Sequence, residues 1–327
     1  MREDVTQETS GSLLRELQKY RAIVTPIAPV APVALSTAPA AALMPASEAI
    51  RTGSATNQPL KYEVYPFKTD EEIHAMQVYF LQKAKEAKHS SHPSRFYTWL
   101  RNFLYFSLSI NIGFRGGDVT ELTWDDLLNA MEASSSENAA SNGYYIREEK
   151  TGKARKLVIN SECRRAIEFY LNQLGDHAKD VLAPTIVRLP DAIDPETGMP
   201  AVLVYPAYVF PSTKRNTKRN NRNTALNTTD VPTHVGRDSF CDIIQEAAKA
   251  CGIQYHVGTH SLRKTFGYRF FKATGDVITL QKIFNHSSSA ITLRYIGIDN
   301  EAIMDAYETV GSSGMILSDE ELNAIMG

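Results

Sequence analysis

Apolar positions recur at helical spacing through most of this chain, and the polar residues between them mark where each helix begins and ends. Ile73, Met76 and Phe80 follow one another at three- and four-residue steps behind Thr69-Asp-Glu-Glu72. That opening is a capping box, in which a threonine hydroxyl and a glutamate carboxylate each satisfy an N–H at the start of the helix. The pattern predicts a helix to about Lys88, ended by the polar stretch His89 to Ser94. A second, more apolar helix carries Phe96, Leu100, Phe103, Leu104 and Leu108 and finishes at the glycine-rich turn Gly113-Phe-Arg-Gly-Gly117. Asp118 to Leu128 reads as a further short helix or turn, and Ser134 to Gly143 as a polar loop.

The period changes from Tyr144 to Ile159. Tyr-Tyr-Ile-Arg, a Lys-Thr-Gly-Lys turn and Lys-Leu-Val-Ile predict a strand, a turn and a second strand, with Lys150 and Lys153 at or near the tip of the hairpin. Helix returns at Cys163 to Leu174. Residues 180 to 232 are expected to be irregular, because Pro184, Pro190, Pro195, Pro200, Pro206 and Pro211 interrupt the short apolar runs there. Further helices are predicted at Ser239 to Ala250 with Gly252 as its stop, at His260 to Ala273 with Thr259 as its cap, within Asp276 to Phe284, and from Ser289 to Tyr295. Two more helical patterns, Asn300 to Glu308 and Ser318-Asp-Glu-Glu321, lie in the tail.

The first sixty residues are of another kind. A short helical pattern at Leu13 to Tyr20 runs into an Ala/Pro/Val tract, where prolines at 26, 29, 32, 39 and 45 forbid a continuous helix. Such a segment buries too little apolar surface to offset its ordering entropy, so residues 1–61 are expected to be a mostly disordered arm. The expected fold is therefore mainly α with a small antiparallel β-hairpin sheet, in one domain over residues 62–310. A tail at 311–327 has apolar positions able to dock on a neighbouring protomer.

Composition narrows the function less than it narrows the class. The formal charge is −2 and the pI about 6.5, so bulk charge lends no support to nucleic-acid binding. No run approaches the roughly 20 apolar residues of a membrane-spanning helix. Three scattered cysteines, Cys163, Cys241 and Cys251, do not make a disulfide framework, and no secretory signal opens the chain, so a cytoplasmic setting is expected. The glycine-rich phosphate loop, the dinucleotide fingerprint and the serine nucleophile elbow are all missing from the sequence. His256 and His260 have the spacing of a zinc helix, but Val257 stands where a metalloprotease carries its glutamate base, and no metal is expected.

Chemistry concentrates in Thr259-His-Ser-Leu-Arg-Lys264, Phe284-Asn-His-Ser-Ser288 and Thr292-Leu-Arg-Tyr-Ile296. His260 and Arg263 are i, i+3 neighbours and so share a helix face. Arg115 lies in a turn where glycines let the backbone approach a ligand closely. With one hairpin lysine, His286 and Tyr295, the set holds cations, imidazoles and a phenol and no carboxylate, which suits a phosphodiester. In-line attack on a phosphodiester adds negative charge to its non-bridging oxygens, and guanidinium forks pair with those oxygens. A phenol is only about one part in a thousand ionised at neutral pH and needs a base or a cationic field to attack. A lysine ammonium can protonate the leaving alkoxide. Residue chemistry alone leaves Lys150 and Lys153 equal for that task.

Taken in order, Gly113-Phe-Arg-Gly-Gly-Asp-Val-Thr-Glu-Leu122, Lys150-Thr-Gly-Lys153, His260-Ser-Leu-Arg263, Asn285-His-Ser-Ser288 and Arg294-Tyr-Ile296 resemble the motifs of the tyrosine recombinase (phage integrase) family. The resemblance implies a catalytic set of Arg115, Lys150, His260, Arg263, His286 and Tyr295, and favours Lys150 over Lys153. It implies Tyr295 as the nucleophile forming a 3′-phosphotyrosyl bond to double-stranded DNA, no cofactor, and a tetramer of the chain on paired sites. Apart from the resemblance, the run Lys214, Arg215, Lys218, Arg219 and Arg222 carries five cations and no acid, which reads as either a solvated loop or one that tracks DNA phosphates, and Lys153 and Lys264 are expected to contact DNA with it. Asn285 departs from the glycine usual before the histidine, at a turn asparagine tolerates. Residues 1–61 are also unlike the helical core-binding domain that precedes this catalytic domain in the family. Two alternatives follow: a DNA-binding or regulatory module without autonomous recombination, or a type IB topoisomerase-like nicking and resealing enzyme.

Overall fold

A computed structural model describes residues 64–92, 94–135, 143–193, 199–212 and 232–298, all within the unit Val64–Gly327. The arm at 1–61, the basic run 214–222, the helical pattern at 300–308 and the tail at 311–327 lie outside the described residues.

Helix α1 (Asp70–Lys88) starts as its capping box dictates: the Thr69 hydroxyl accepts the Glu72 N–H at 3.2 Å, and a Glu72 carboxylate oxygen accepts the Thr69 N–H at 3.3 Å. Its buried stripe, Ile73, Met76, Phe80, Ala84 and Ala87, packs on α2 (Ser94–Ile112). Helix α2 runs through the centre of the core and is covered on nearly every side, so residues from Phe103 to Ile110 are buried without a break, Ser107 and Ser109 among them. Phe106 meets Phe67 edge-on at a centroid distance of 5.6 Å and Phe80 at a tilt at 5.8 Å, and Tyr105 stacks on Phe240 at 3.6 Å. The short α3 (Gly116–Thr120) and α4 (Trp124–Ser135) follow.

The expected hairpin is present. β1 (Tyr144–Arg147) pairs antiparallel with β2 (Ala154–Leu157), Tyr144 opposite Leu157 and Arg147 opposite Ala154. Helix α5 (Ser161–Leu174), capped by the Asn160 side chain on the Cys163 N–H, packs on α2, and the short α6 (Ala178–Leu182) follows it. The stretch expected to be irregular forms a second hairpin instead, β3 (Thr185–Ile193) with β4 (Pro200–Tyr205). Its pairing is broken between Leu189 and Ile193, where Pro190 has no N–H to contribute, so the prolines interrupt the ladder without preventing it. Beyond it, Val209 donates to the Leu122 carbonyl and Val235 to that of Phe210, which draws the fully buried Val209 and Phe210 into the core.

Three helices close the domain after α7 (Arg237–Ala250): α8 (Thr259–Thr274), α9 (Val277–Phe284) and α10 (Ser289–Ile296). Gly258, and not Thr259, precedes the first turn of α8, and the Ser261 hydroxyl accepts the Gly258 N–H at 3.1 Å. Gly267 lets α8 approach its neighbours, since a β-carbon there would fall 2.6 Å from Ile296 and 2.8 Å from Phe284. Tyr268, Leu280, Phe284, Ile296 and Ile298 form the small core beneath. His256 lies before α8, within 3.3 Å of the Gln245 amide, so the helical spacing inferred for His256 and His260 does not arise.

Candidate active site

The site is assembled where the turn after α2, the first hairpin and the last three helices meet. Gly113 has φ +63°, the left-handed region open to glycine, and the next turn places Arg115 immediately before α3. Arg115 Nη1 lies 2.5 Å from Glu148 Oε2, at the end of β1, and its side chain keeps 23 % of its surface exposed. Glu148 is fully buried and also accepts the Thr151 hydroxyl at 2.7 Å. Burial acts to raise its pKa, but the Thr151 hydroxyl and Arg115 outweigh that and hold it below the usual carboxylate value.

Two further guanidiniums stand behind Arg115. Arg263, 2 % exposed, donates to the Gly113 carbonyl at 2.9 Å and to the Phe284 carbonyl at 3.0 Å, with Phe284's ring 4.3 Å away. Arg155 donates to the same Gly113 carbonyl at 2.8 Å and to that of Ile112 at 3.0 Å, and sits 3.9 Å over the Phe114 ring. Burial, then Arg263, lowers the Arg155 pKa to about 9, so it stays charged at neutral pH. The Gly113 turn is thus clamped by α8 on one side and by β2 on the other.

Tyr295, on α10, packs edge-on against Phe284 at 5.6 Å and against His286 at 5.3 Å, with Lys264 Nζ 5.5 Å from its ring centroid. Its hydroxyl is buried and, among the described residues, has no hydrogen-bond partner of good geometry, Arg263 being the donor that acts on it. Burial raises its pKa, opposed by Arg263 and then Arg115. His286 Nδ1 faces the Thr292 hydroxyl at 3.1 Å. Burial, with Arg263 and Arg115, lowers its pKa to about 4, so the ring is neutral at pH 7. Asn285, φ +53°, closes α9 in the left-handed conformation, as asparagine at that turn permits. His260 shares a helix with Arg263 but not its depth. His260 is exposed, and its pKa is lowered by partial burial and then by Arg237, Arg263, Lys264 and Arg115.

Arg115, Arg263, His286 and Tyr295 are therefore gathered, with His260 at the rim. Lys264, expected to track DNA, sits beside the tyrosine. Lys150 and Lys153 are both exposed in the hairpin turn. Among the described residues neither side chain makes a hydrogen bond or ion pair, although the main chain of Lys153 pairs with Glu148 at 2.9 Å. The set itself holds no carboxylate, but two lie beside it that the sequence pattern did not single out. Glu148 is joined by the buried Asp118, whose Oδ1 accepts the Glu149 N–H at 3.0 Å and whose pKa is raised chiefly by burial. The sequence carried one signal for this inner layer. Arg155 alternates with Leu157 on the buried face of β2, where a solvated arginine has no place. Lys214, Arg215, Lys218, Arg219 and Arg222 lie outside the described residues.

The sequence model of the phage integrase family matches residues 79–301, more than half of the chain. The probable integrase/recombinase YoeC of Bacillus subtilis (strain 168) is 29% identical over 248 residues, covering 76% of this chain and 97% of that protein. The tyrosine recombinase XerD of Mycobacterium tuberculosis is 22% identical over 188 residues, 57% of this chain and 59% of that one. Among solved structures, XerA recombinase aligns with a TM-score of 0.43 at 20% identity, covering 78% of this chain and 66% of that one. The XerH site-specific recombinase bound to palindromic difH substrate aligns with a TM-score of 0.44 at 15% identity, covering 75% and 53%. Apart from YoeC, the chain spans less than two thirds of these relatives' length.

Proposed function

The chain belongs to the phage integrase family, and from that membership and the geometry of the site we propose that it is a site-specific DNA recombinase acting through a covalent phosphotyrosyl intermediate. The observation that carries the reading is the buried Tyr295 hydroxyl, without a partner of good geometry among the described residues and within the field of Arg263 and Arg115. A buried hydroxyl without a partner costs stability, and a nucleophile awaiting a phosphate is one reason to keep it.

The Tyr295 oxygen attacks the scissile phosphorus and the bond to the 5′ oxygen breaks, leaving a 3′-phosphotyrosyl ester and a free 5′-hydroxyl. The phenolic proton passes to His260, whose lowered pKa leaves it neutral and able to accept. Lys150 gives a proton to the leaving oxygen. Arg115 and Arg263 bind the non-bridging oxygens. Each guanidinium carries five N–H groups, and Glu148 engages one terminal nitrogen of Arg115. His286 faces the phosphate through Nε2, its ring oriented by the contact of Nδ1 with the Thr292 hydroxyl at 3.1 Å. A 5′-hydroxyl from a partner strand reverses the step; one ester replaces another, so no energy cofactor enters. Lys153, Lys264 and the basic run 214–222 follow the duplex backbone.

The test is a pool of short nicked duplexes of randomised sequence, in which cleavage near the nick releases a fragment and traps the ester. Wild type yields an adduct that survives denaturation; Tyr295→Phe yields none; Arg115→Ala or Arg263→Ala lowers the rate by about 10²–10³-fold. Duplexes that bind without any adduct would reduce the chain to a DNA-binding module. Relaxation of supercoiled plasmid by a monomer, without strand exchange, would favour a nicking and resealing enzyme.

A further inference from the structure

Glu148 and Asp118 have no part in the chemistry above, yet both are buried beside it. The hairpin that carries Lys150 leaves the domain surface at Glu148, and its tip, residues 149–153, is exposed. A lysine on so short an exposed turn gains a fixed position only through whatever anchors the root. Glu148 supplies that anchor four times over. Its N–H donates to the Lys153 carbonyl at 2.9 Å, and its own carbonyl accepts the Gly152 N–H at 2.8 Å. Its carboxylate accepts the Thr151 hydroxyl at 2.7 Å, and the same oxygen accepts Arg115 Nη1. Asp118, three residues after Arg115, takes the Glu149 N–H at 3.0 Å and adds a second tie to the same root. Lys150 therefore sits in a turn whose two flanking residues, Glu149 and Thr151, are each bonded to a carboxylate beside Arg115.

We propose that Glu148 is a positioning residue that couples the lysine-bearing turn to Arg115, so that the proton donor and one phosphate-binding fork are set by a single carboxylate. This rests on the roles proposed above for Lys150 and Arg115. One oxygen shared by the two arms makes the coupling reciprocal: a phosphate that draws Arg115 forward pulls on the oxygen that holds Thr151. Asp118 keeps the root in place whichever way that oxygen is drawn.

Single-turnover cleavage of a duplex carrying the sequence recovered from the adduct separates the arms, using one version with the natural 5′-bridging oxygen and one with sulfur in its place. A thiolate leaves without a proton, so sulfur removes the need for the lysine but not for the arginine. Lys150→Ala is expected to raise the sulfur-to-oxygen rate ratio by about 10²-fold or more over wild type. Arg115→Ala is slow on both and raises the ratio far less than Lys150→Ala does, because Glu148 still holds Thr151. Glu148→Ala loses rate on both substrates and raises the ratio about tenfold, the loss of one charge-assisted hydrogen bond on the lysine side. Glu148→Gln, which keeps an acceptor oxygen, recovers part of both. Thr151→Val, at an exposed position where folding is safe, raises the ratio with little loss on the sulfur substrate. If Glu148→Ala and Thr151→Val both keep the wild-type ratio while Lys150→Ala raises it, the coupling is wrong. If Lys150→Ala itself leaves the ratio unchanged, the proton-donor reading fails instead.

Discussion

Replacing Gly113 with alanine tests the clamp that holds the arginine turn. Gly113 has φ +63°, where an L side chain costs about 1 kcal/mol. A β-carbon there would also lie 2.4 Å from Phe266 Cδ1 and 2.6 Å from Cγ, closer than any relaxed contact. Overpacking of that kind costs about 1–3 kcal/mol. Gly152 is the matched control: its φ is +64°, but nothing lies within 4 Å of its β-position. Gly152→Ala is therefore expected to lose about 1 kcal/mol and Gly113→Ala about 2–4 kcal/mol, by urea unfolding with unchanged slope. In a domain of this size that is roughly 2–4 °C of melting temperature per kcal/mol. Phe266→Leu in the Gly113→Ala background should recover part of the difference, because it shortens the clashing group. Activity should fall with stability only in Gly113→Ala, since the Gly113 carbonyl takes hydrogen bonds from both Arg155 and Arg263. Equal losses in the two alanine variants would refute the Phe266 contact and with it the close seating of the turn on α8.

Three further outcomes follow from the electrostatics. Tyr295→Phe removes a buried hydroxyl that has no partner of good geometry among the described residues, so the variant should be as stable as wild type or up to about 1–2 kcal/mol more stable; a loss above about 1 kcal/mol would mean that the hydroxyl is hydrogen-bonded, with Arg263 the donor. His286 binds its proton near pH 4 when folded and near 6.5 when unfolded, so its neutral form's contribution is intact above about pH 6.5 and lost as pH falls toward 4. His286→Gln should flatten the urea midpoint over that window, and parallel pH curves for the two proteins would refute the shift. Thr292→Val keeps the side-chain volume but removes the hydroxyl that His286 Nδ1 contacts, and single-turnover cleavage should slow by about tenfold, the worth of one hydrogen bond to a group acting on the phosphate.

How far the sequence reached depended on the range of the interaction involved. Local signals were legible: the Thr69–Glu72 capping box, the Gly252 stop and the Lys-Thr-Gly-Lys turn each depend on residues within a few positions of one another. Tyr295, Arg263 and His286 were legible through ordered motifs, and the folded chain brings them together. Glu148 was not. Its importance lies in a bond to Arg115, thirty-three residues earlier, and a carboxylate beside Glu149 in a polar turn looks solvated until the turn is folded against α3. Arg155 was hidden by its charge, although its place on the inward face of a short strand was visible. The second hairpin was missed because prolines were weighed as barriers to structure, whereas Pro190 falls where the ladder is already broken.

The covalent ester at Tyr295 is best tested through the chemistry of the trapped adduct. Mass spectrometry of the digested adduct should place the nucleotide on the peptide containing Tyr295, joined through a 3′ phosphate. The released strand should carry a 5′-hydroxyl that polynucleotide kinase labels without prior phosphatase treatment. Attachment at another residue, a link through a 5′ phosphate, or cognate duplex bound without any adduct would contradict the account.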